Sequence, residues 1–452
     1  MGLYFRRSLI VIAILAIFLV GQIALAADEK SIEIWLISTP VQGINDFYNE
    51  IAQAFKEKTG YEVNIVWVAR EDMHTKLMTS VSAGIFPDLV IDIMGQGVEL
   101  SKLGVLLPVN DLVEEIGKEK FFPGILQMQQ TPDGTYWALP LFSHPSAFHF
   151  RRDWLEEAGF STQYEQDDEG NWHVWAIDTW DQVLEVAKKV TADIDGDGKT
   201  DRWGLGLQYA RTGDTFGWVT HLIYSFGGYI YDYNEEKVAF NSPETIEAVQ
   251  LMSDLYNKYQ VIPPEVTGWG EFENNLYIQH PEQAIVSMVF NSYSIIPWCH
   301  DNAPEMVEKI GTAPYPKAKE RFRVEAGQAE AFLVFKTDKT PISIEFVKMM
   351  MDKDLQVKGI RMSGGYWSPC RDDVLADPYF VEEIPMEMRM AMENDKYLIS
   401  LGWPTSGMTP ELSEVANSYI LQDITTRVAV DKWSAEEAVA EATTAIEEIF
   451  GY

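Results

Sequence analysis

Apolar runs alternate with amphipathic segments between residues 31 and 92, and this alternation constrains the fold more than any other feature of the chain. The runs "SIEIWLIS", "YEVNIVWV" and "FPDLVIDI" have the length and apolar content of buried strands. The segment after the first run ends at Gly60 and places four apolar side chains on one helical face: Ile44, Phe47, Ile51 and Phe55. "REDMHTKLMTSVSAG" supplies a second helix. The order β-α-β-α-β predicts a parallel sheet with helices on its faces.

The length of the chain predicts two lobes. Its 452 residues exceed what one hydrophobic core usually organises, even without an N-terminal leader. Because no repeat, low-complexity run or long flexible linker separates two halves, we expect the chain to cross between the lobes more than once. In open α/β sheets the ligand lies beyond the carboxyl ends of the strands. Ser38, Thr39 and residues 92–96 follow predicted strands and are therefore candidates for ligand contact.

Cap residues predict where several later helices begin. Thr179 with Gln182, and Ser434 with Glu437, fit the capping box. Ser242 and Thr340 each stand before a proline, which predicts that each caps a helix whose first residue is the proline.

The first 26 residues are predicted to be a signal peptide. Arg6 and Arg7 precede an apolar run from Leu9 to Val20, and Ala24-Leu25-Ala26 ends in the small-x-small pattern of a cleavage site. The alternative is a retained membrane anchor, but the small-residue end and the lack of a second basic stop favour cleavage. No cysteine follows the run, which argues against a lipid anchor. We expect a periplasmic or extracellular protein.

The charge of the chain excludes two classes of partner. The formal net charge is −34, and cleavage of the leader removes two arginines and no acids. The acidic residues are spread along the chain without long single-sign blocks. Such a surface repels nucleic acid and anionic lipid, so we expect neither as a partner.

Signatures of catalysis are absent from the sequence. There is no G-x-S-x-G, H-E-x-x-H or C-x-x-C. His144 and His149 lie five residues apart in a predicted strand and therefore face opposite sides, which argues against a shared metal site. A pair of carboxyl groups for glycoside hydrolysis stays open, because 69 acidic residues offer many pairs.

The stretch "DIDGDGKTD" resembles the start of a calcium loop of the EF-hand type. Gly198 stands at the turn, and position 12, normally a glutamate, is Gly204. Two interpretations stay open: a structural calcium site and an Asp-Gly-rich surface turn. The calcium ligands would be Asp193, Asp195, Asp197, the carbonyl of Lys199, and Asp201.

Cys299 and Cys370 are the only cysteines. An oxidising compartment would allow them to pair, but the sequence gives no distance between them. A disulfide and two buried thiols both remain open.

Eight segments in this order resemble the extracellular solute-binding proteins of ABC importers, in the maltose- and trehalose-binding group. They span nearly the whole chain after the leader, and each is weak alone. The segments are "FKEKTGYEVNIVWV", "FPDLVIDIMGQGVELSKLGVLLPVNDL", "DGTYWALPLFSHPSAFHFRRDWLEEAGF", "TWDQVLEVAKKV", "FGGYIYDYNEEKVAFNSPETIEAVQLMSDLY", "PEQAIVSMVFNSYS", "ISIEFVKMMMDKDLQVKG" and "SAEEAVAEATTAIEEI".

The resemblance implies a two-lobed periplasmic-binding-protein fold of class α/β, with the ligand cleft between the lobes. It places the N-terminal lobe at residues 27–142 plus about 312–362, and the C-terminal lobe at about 146–310 plus 366–452. The hinge crossings would lie near 140–146, 311–326 and 360–368. It also implies a monomer without catalytic activity that captures a carbohydrate, in particular an oligosaccharide, and presents it to membrane permease subunits.

The resemblance also nominates cleft residues. Asp92 stands where the family uses a carboxylate on sugar hydroxyls, although it could instead form a cap or a bridge within its own lobe. His144 stands where maltose-binding proteins have a glutamate, which puts a charge-dependent contact there in doubt. The nominated residues are Thr39, Asp92, Gln96, Ser143, His144, Trp218, Asn291, Tyr293, Gln328, Glu330, Trp367 and Trp403.

Aromatic content favours a sugar as the solute. The chain has 14 tryptophans and 20 tyrosines, whose flat apolar faces stack on pyranose rings. Three alternatives remain: a secreted glycan-degrading enzyme that uses Asp92 with Glu330, a calcium-dependent adhesin or lectin, and a binding protein for a solute other than a sugar.

Overall fold

The computed structural model shows two α/β lobes, each built on a central sheet with flanking helices. It describes residues 30–39, 41–92, 95, 97–144, 146–168, 170–270, 272–318, 325–326 and 329–452. The predicted signal peptide, residues 1–26, lies outside the described residues. No helix within these ranges is both long and apolar enough to cross a membrane.

The strands in chain order are β1 (Ser31–Ile37), β2 (Glu62–Val68), β3 (Leu89–Asp92), β4 (Leu139–Ser143), β5 (Ser146–Arg151), β6 (Glu165–Gln166), β7 (Trp172–His173), β8 (Trp203–Leu205), β9 (Tyr231–Asp232), β10 (Lys237–Val238), β11 (Val286–Ser292), β12 (Ile310–Ala313), β13 (Glu325–Ala326), β14 (Ala329–Val334), β15 (Ser368–Pro369) and β16 (Leu398–Ile399).

The α-helices are α1 (Gln42–Thr59), α2 (Arg70–Ala83), α3 (Gly97–Lys102), α4 (Asn110–Ile116), α5 (Pro123–Met128), α6 (Arg152–Glu157), α7 (Trp180–Val190), α8 (Gly213–Ser225), α9 (Pro243–Ser253), α10 (Glu273–Gln279), α11 (Ile295–Asn302), α12 (Pro304–Val307), α13 (Thr340–Met350), α14 (Lys353–Met362), α15 (Asp372–Leu375), α16 (Met386–Asn394), α17 (Pro410–Asn417), α18 (Ile420–Ala429) and α19 (Ala435–Phe450).

A six-stranded sheet in the order β15-β4-β14-β3-β1-β2 organises the first lobe. β1 pairs in parallel with both β2 and β3, which confirms the predicted β-α-β-α-β unit. β14 is antiparallel to β3 and β4. The second lobe contains a four-stranded sheet in the order β12-β5-β11-β8, in which β8 and β11 run parallel.

Helix α1 packs against the first sheet with the face that the sequence predicts. Its four predicted apolar side chains, Ile44, Phe47, Ile51 and Phe55, are at most 2% exposed. Burying side chains of this size stabilises a fold by roughly 1.5–3 kcal/mol each. The helix ends at Gly60, whose φ of 78° is a left-handed conformation that glycine adopts without steric cost.

The predicted helix starts are confirmed at three positions and wrong at a fourth. Ser242 caps α9, because its hydroxyl accepts from the backbone N–H of Thr245. Both elements of the capping box are present at Thr179, before α7, and at Ser434, before α19. Thr340, in contrast, is the first residue of α13 and not its cap. Its hydroxyl donates instead to the carbonyl oxygens of Phe335 and Thr337 in the turn that precedes the helix.

The chain passes between the two sheets at three places. β4 and β5 belong to different sheets and are joined by residues 144 and 145 alone. The second passage lies between β12 and β14. β15 still pairs with β4 through Ser368 and Ser143, so the lobe boundary predicted at 366 and the crossing predicted at 360–368 come too early. α16, which follows, packs against β5 and β12 of the second lobe.

Cys299 and Cys370 are both free thiols. Cys299 lies in α11, whereas Cys370 packs with Phe122 and Ile125 in a cluster of the first lobe. Burial raises the pKa of the Cys299 thiol to about 12 and that of Cys370 well above its usual value. Both are therefore inert apolar side chains.

Candidate functional site

A pocket of about 400 Å³, counted out to its open mouth, lies at the carboxyl ends of the parallel strands of the first lobe. Ile37, Trp67 and Ile91 come from the last residues of β1, β2 and β3. This is where open α/β sheets bind ligands. Among the described residues, the lining is Leu36, Ile37, Ser38, Thr39, Ile44, Tyr48, Trp67, Ile91, Glu330, Tyr366 and Trp367. Three of these, Thr39, Glu330 and Trp367, are among the residues nominated from the sequence.

Glu330 supplies the carboxyl group of the pocket. Where β14 pairs with β4, the register shifts between Glu330 and Ala331, and such a bulge re-aims the side chain beside it. Oε1 of Glu330 accepts a 2.8 Å hydrogen bond from the indole Nε1 of Trp367. The side chain is 13% exposed, so it is held in place and still reached by solvent.

His144, in the link between β4 and β5, lies beside this carboxyl group. Its Nε2 is 3.3 Å from Oε1 of Glu330, without the alignment of a hydrogen bond. The imidazole meets the ring of Tyr366 edge to face, with 4.9 Å between the centroids. Glu330 and Tyr366 both line the pocket. Because His144 lies against both, the link between the lobes is in direct contact with the pocket.

The two adjacent aromatic residues of the pocket have different roles. Trp367 is 1% exposed and stacks on Phe142 at 4.2 Å, so only its edge reaches Glu330. Tyr366 is 38% exposed. Of the two, Tyr366 offers the accessible aromatic face, and the sequence analysis did not nominate it.

A network of carboxyl and amide groups lies at the corresponding end of the second sheet. Nδ2 of Asn291, at the end of β11, donates to Asp214 at 3.2 Å and to Asn275 at 2.6 Å. Nδ2 of Asn274 donates to the same Asp214 oxygen at 2.7 Å. Asp214 belongs to the first turn of α8, where the helix dipole favours a negative charge. Asn291 pairs with Ala147 across the sheet, next to the link that contains His144.

Asp92 and Ser143 are buried side chains at the ends of β3 and β4. Asp92 is 2% exposed and accepts a 2.9 Å hydrogen bond from the backbone N–H of Gly97 at the start of α3. This placement matches the capping interpretation of Asp92. Ser143 is fully buried in β4 and hydrogen-bonds to the carboxyl group of Asp395.

The remaining nominated aromatics lie in three different surroundings. Trp218 is 1% exposed and its Nε1 donates to the carbonyl of Gln208, which places the ring in the core of the second lobe and not at a cleft surface. Tyr293 is 4% exposed and packs against Gly365. Trp403 is partly buried with its ring 6.1 Å from that of Tyr224. The other two nominated residues, Gln96 and Gln328, lie outside the described residues.

The acidic loop is exposed and far along the chain from the pocket elements. Carboxyl oxygens of Asp193, Asp195 and Asp197 lie within 4.8 Å of one another. Asp193 accepts from the N–H groups of Gly196 and Gly198 at 2.7 and 2.8 Å. These bonds shape the turn, so the loop has the same geometry that the surface-turn interpretation requires.

The family model for bacterial extracellular solute-binding proteins matches residues 42–357. The chain belongs to this family. It is a family of binding proteins and not of enzymes.

Curated relatives match at low identity. The sn-glycerol-3-phosphate-binding periplasmic protein UgpB of Brucella abortus (strain 2308) is 26% identical over 220 residues, which are 47% of each chain. The chain thus spans about half the length of these relatives. The arabinooligosaccharide-binding protein of Halalkalibacterium halodurans is 23% identical over 317 residues, covering 69% of this chain and 65% of that one.

Solved structures of solute-binding proteins share the fold. MalE, the sugar-binding protein of Xanthomonas citri, superposes with a TM-score of 0.77 at 16% identity and covers 93% of this chain and 97% of its own. Maltose-bound MalE3 of T. maritima gives a TM-score of 0.70 at 20% identity, over 92% of this chain and 100% of its own. These likenesses confirm the predicted two-lobed periplasmic-binding-protein fold.

For this chain, the sequence identified the family but only part of the pocket and of the polar network. The sequence analysis did not nominate four residues that line the pocket or belong to the polar network: Tyr48, Tyr366, Asp214 and Asn275. Tyr48 sits on the predicted buried face of α1, one residue after Phe47, and therefore reads as core. Asn275 and Asp214 carry a weak signal, because polar residues at helix starts most often serve as caps.

Proposed function

We propose that this protein is the substrate-binding component of an ABC importer, which captures a carbohydrate, in particular an oligosaccharide, and presents it to the membrane permease. The observation that carries the proposal is the pocket itself: Glu330 beside the accessible ring of Tyr366, at the carboxyl ends of the strands. A carboxylate accepts from sugar hydroxyls, and an aromatic ring stacks on the apolar face of a pyranose.

The second lobe contributes the other half of the proposed grip. Asp214, Asn275 and Asn291 offer oxygen and nitrogen atoms next to the link that carries His144. A ligand that contacts both groups stabilises the arrangement in which the lobes approach each other. The permease would recognise that loaded form.

Two kinds of ligand are suggested by the names of the relatives, a glycerol phosphate and an arabinose oligosaccharide. The negative charge of a carboxylate at Glu330 opposes a phosphate at the same position. Stacking against Tyr366 and Trp67 favours a ring. We therefore infer a sugar.

The setting of the protein is part of the proposal. Residues 1–26 act as a cleaved signal peptide, and the mature protein works as a monomer in the periplasm or outside the cell. The acidic loop from Asp193 to Asp201 binds a structural calcium ion that stiffens the connection between α7 and β8. Its ligands are Asp193, Asp195, Asp197, Lys199 and Asp201, and the three clustered carboxyl groups support this assignment.

The test is calorimetric titration of the purified mature protein with maltose, maltotriose, arabinotriose, tagatose and glycerol 3-phosphate, combined with melting curves. We expect an oligosaccharide to bind and to raise the melting temperature, since ligand at a hundred times Kd stabilises by about 2.7 kcal/mol. Glu330→Ala should abolish that binding, whereas the exposed Glu382→Ala should not change it. Binding of glycerol 3-phosphate alone would refute the sugar assignment and retain the transport role.

A further inference from the structure

The hydroxyl group of Tyr48 is buried at the pocket and has no hydrogen-bond partner among the described residues. The side chain is 3% exposed. Buried tyrosine hydroxyls normally find a partner, because an unpaired one has lost its hydrogen bonds to water. The ring is held by edge-on contacts with Trp67 at 6.0 Å and Trp367 at 5.8 Å. Since these contacts involve the ring alone, phenylalanine would satisfy the packing equally well.

Glu330 lies near this hydroxyl, and one of its two carboxylate oxygens is able to accept a further hydrogen bond. Burial, and secondarily the charge of Glu330, raises the pKa of Tyr48 well above its usual value, so the phenol stays protonated and able to donate. Of the two oxygens of Glu330, Oε1 accepts from Trp367. The described part of the chain provides no hydrogen-bond donor to Oε2. A donor and an acceptor without partners among the described residues therefore belong to two side chains that line one pocket, and they are not bonded to each other.

We propose that Tyr48 and Glu330 together read two neighbouring hydroxyl groups on one sugar unit of the ligand, an inference that rests on the proposed function. The phenol donates to one ligand oxygen, and Oε2 of Glu330 accepts from the adjacent hydroxyl. Ile44 and Ile91, which line the same pocket, carry no polar side-chain atoms. A ligand that lacks either hydroxyl leaves one of the two protein groups unpaired, and the site rejects it.

Tyr48→Phe tests this inference, because it removes the oxygen and keeps the ring. Wild type is first titrated with the sugars named above, and the tightest binder is then compared on both proteins. We expect Tyr48→Phe to weaken its binding about tenfold while the melting temperature without ligand stays equal or rises. The matched control is Tyr209→Phe in the second lobe, whose hydroxyl donates to the carbonyl of Met252 at 2.9 Å. That variant should melt lower and bind the sugar as wild type does.

Monodeoxy analogues of the same sugar make the test sharper. Wild type should lose about tenfold in affinity for the analogue that lacks the hydroxyl read by Tyr48, and Tyr48→Phe should bind this analogue and the parent sugar equally. Equal affinity of Tyr48→Phe and wild type for the parent sugar would overturn the inference and leave the proposed function intact. Failure of wild type to bind every sugar is a separate result, and it would overturn the proposed function and this inference with it.

Discussion

The carboxyl group of Asp395 accepts a hydrogen bond from the hydroxyl of Ser368. Ser143 hydrogen-bonds to the same carboxyl group, and all three side chains are at most 1% exposed. Ser143 ends the last strand before the first passage between the sheets, and Ser368 opens the strand before the third. Asn394, the residue before Asp395, donates to the carbonyl of Ser146 and accepts from the N–H of Tyr315. Asn394 and Asp395 thus hold all three passages together.

Asp395 should make stability depend on pH. Burial raises the pKa of its carboxyl group from 3.8 to about 8, against the opposing effect of the bonds from Ser368 and Ser143. Because the folded state keeps a proton that the unfolded chain releases, this group makes the fold less stable as pH rises from about 4 to about 8. Asparagine does not titrate. The melting temperature of Asp395→Asn minus that of wild type should therefore increase as pH rises from about 4 to about 8.

The measurement is a series of melting curves of both proteins from acid to mildly alkaline pH. Asp301→Asn, at an exposed position of α11, is the control and should follow wild type. Parallel curves for wild type and Asp395→Asn would contradict the assignment of a protonated carboxyl group to this position.

Asn394→Ala should destabilise the protein by about 1–3 kcal/mol, because it leaves the N–H of Tyr315 and the carbonyl of Ser146 without partners in a buried place. Urea unfolding measures this loss. Asn302→Ala, at an exposed helix end, should change the free energy of unfolding by less than about 0.5 kcal/mol. If both variants unfold alike, Asn394 does not hold the passages together.

Two aromatic substitutions should distinguish a residue of the pocket, which affects sugar affinity, from a residue of the core, which affects stability. Tyr366→Ala removes an accessible ring and should weaken sugar binding about tenfold with little effect on stability. Trp218→Phe removes the hydrogen bond to Gln208 inside the second lobe and should lower the melting temperature without a change in sugar affinity. Calorimetric titration and melting curves on both variants measure the two effects. Reduced sugar affinity of Trp218→Phe would show that Trp218 belongs to the binding site and contradict its assignment to the core.

From the proposed calcium site we expect calcium to raise the melting temperature of wild type, because a ligand that binds only the folded state stabilises it. Asp195→Asn should weaken this effect, since it removes one charge from the cluster of three. Melting curves with added calcium and with a chelator give the comparison, and Asp301→Asn again serves as control. Sugar affinity should not respond to chelation. No calcium effect on wild type would leave the loop as a plain surface turn.

Much of the local structure was predictable from the sequence. The parallel β1-β2-β3 unit, the buried face of α1 and the capping boxes at Thr179 and Ser434 all depend on residues within a few turns of one another. Thr340 shows the limit, because a turn at Phe335 and Thr337 outside the local cap pattern uses its hydroxyl. The third passage was misplaced for a related reason, since Ser368 pairs with a strand more than two hundred residues away.

The site was predictable only in part. Thr39, Glu330, Trp367 and Asn291 were nominated and lie at the strand ends, whereas Trp218 was nominated and lies in the core. Tyr48 and Tyr366 were missed. The difference between Tyr48 and Phe47 is one oxygen on a face that local periodicity assigns to the core, and no local pattern shows whether that oxygen finds a partner.

The sequence by itself determined the class of fold and the parallel direction of the first strands, because hydrophobic periodicity and helix caps act over short stretches of chain. The family followed from the resemblance of whole segments taken in order. The tertiary structure alone decided which aromatic rings are accessible and which polar groups lack partners. Glu330 and Tyr48 line one pocket only because β14 returns antiparallel between β3 and β4 after a passage through the second lobe. Exposure and hydrogen bonding are set by such long-range neighbours, and these follow from packing the whole chain.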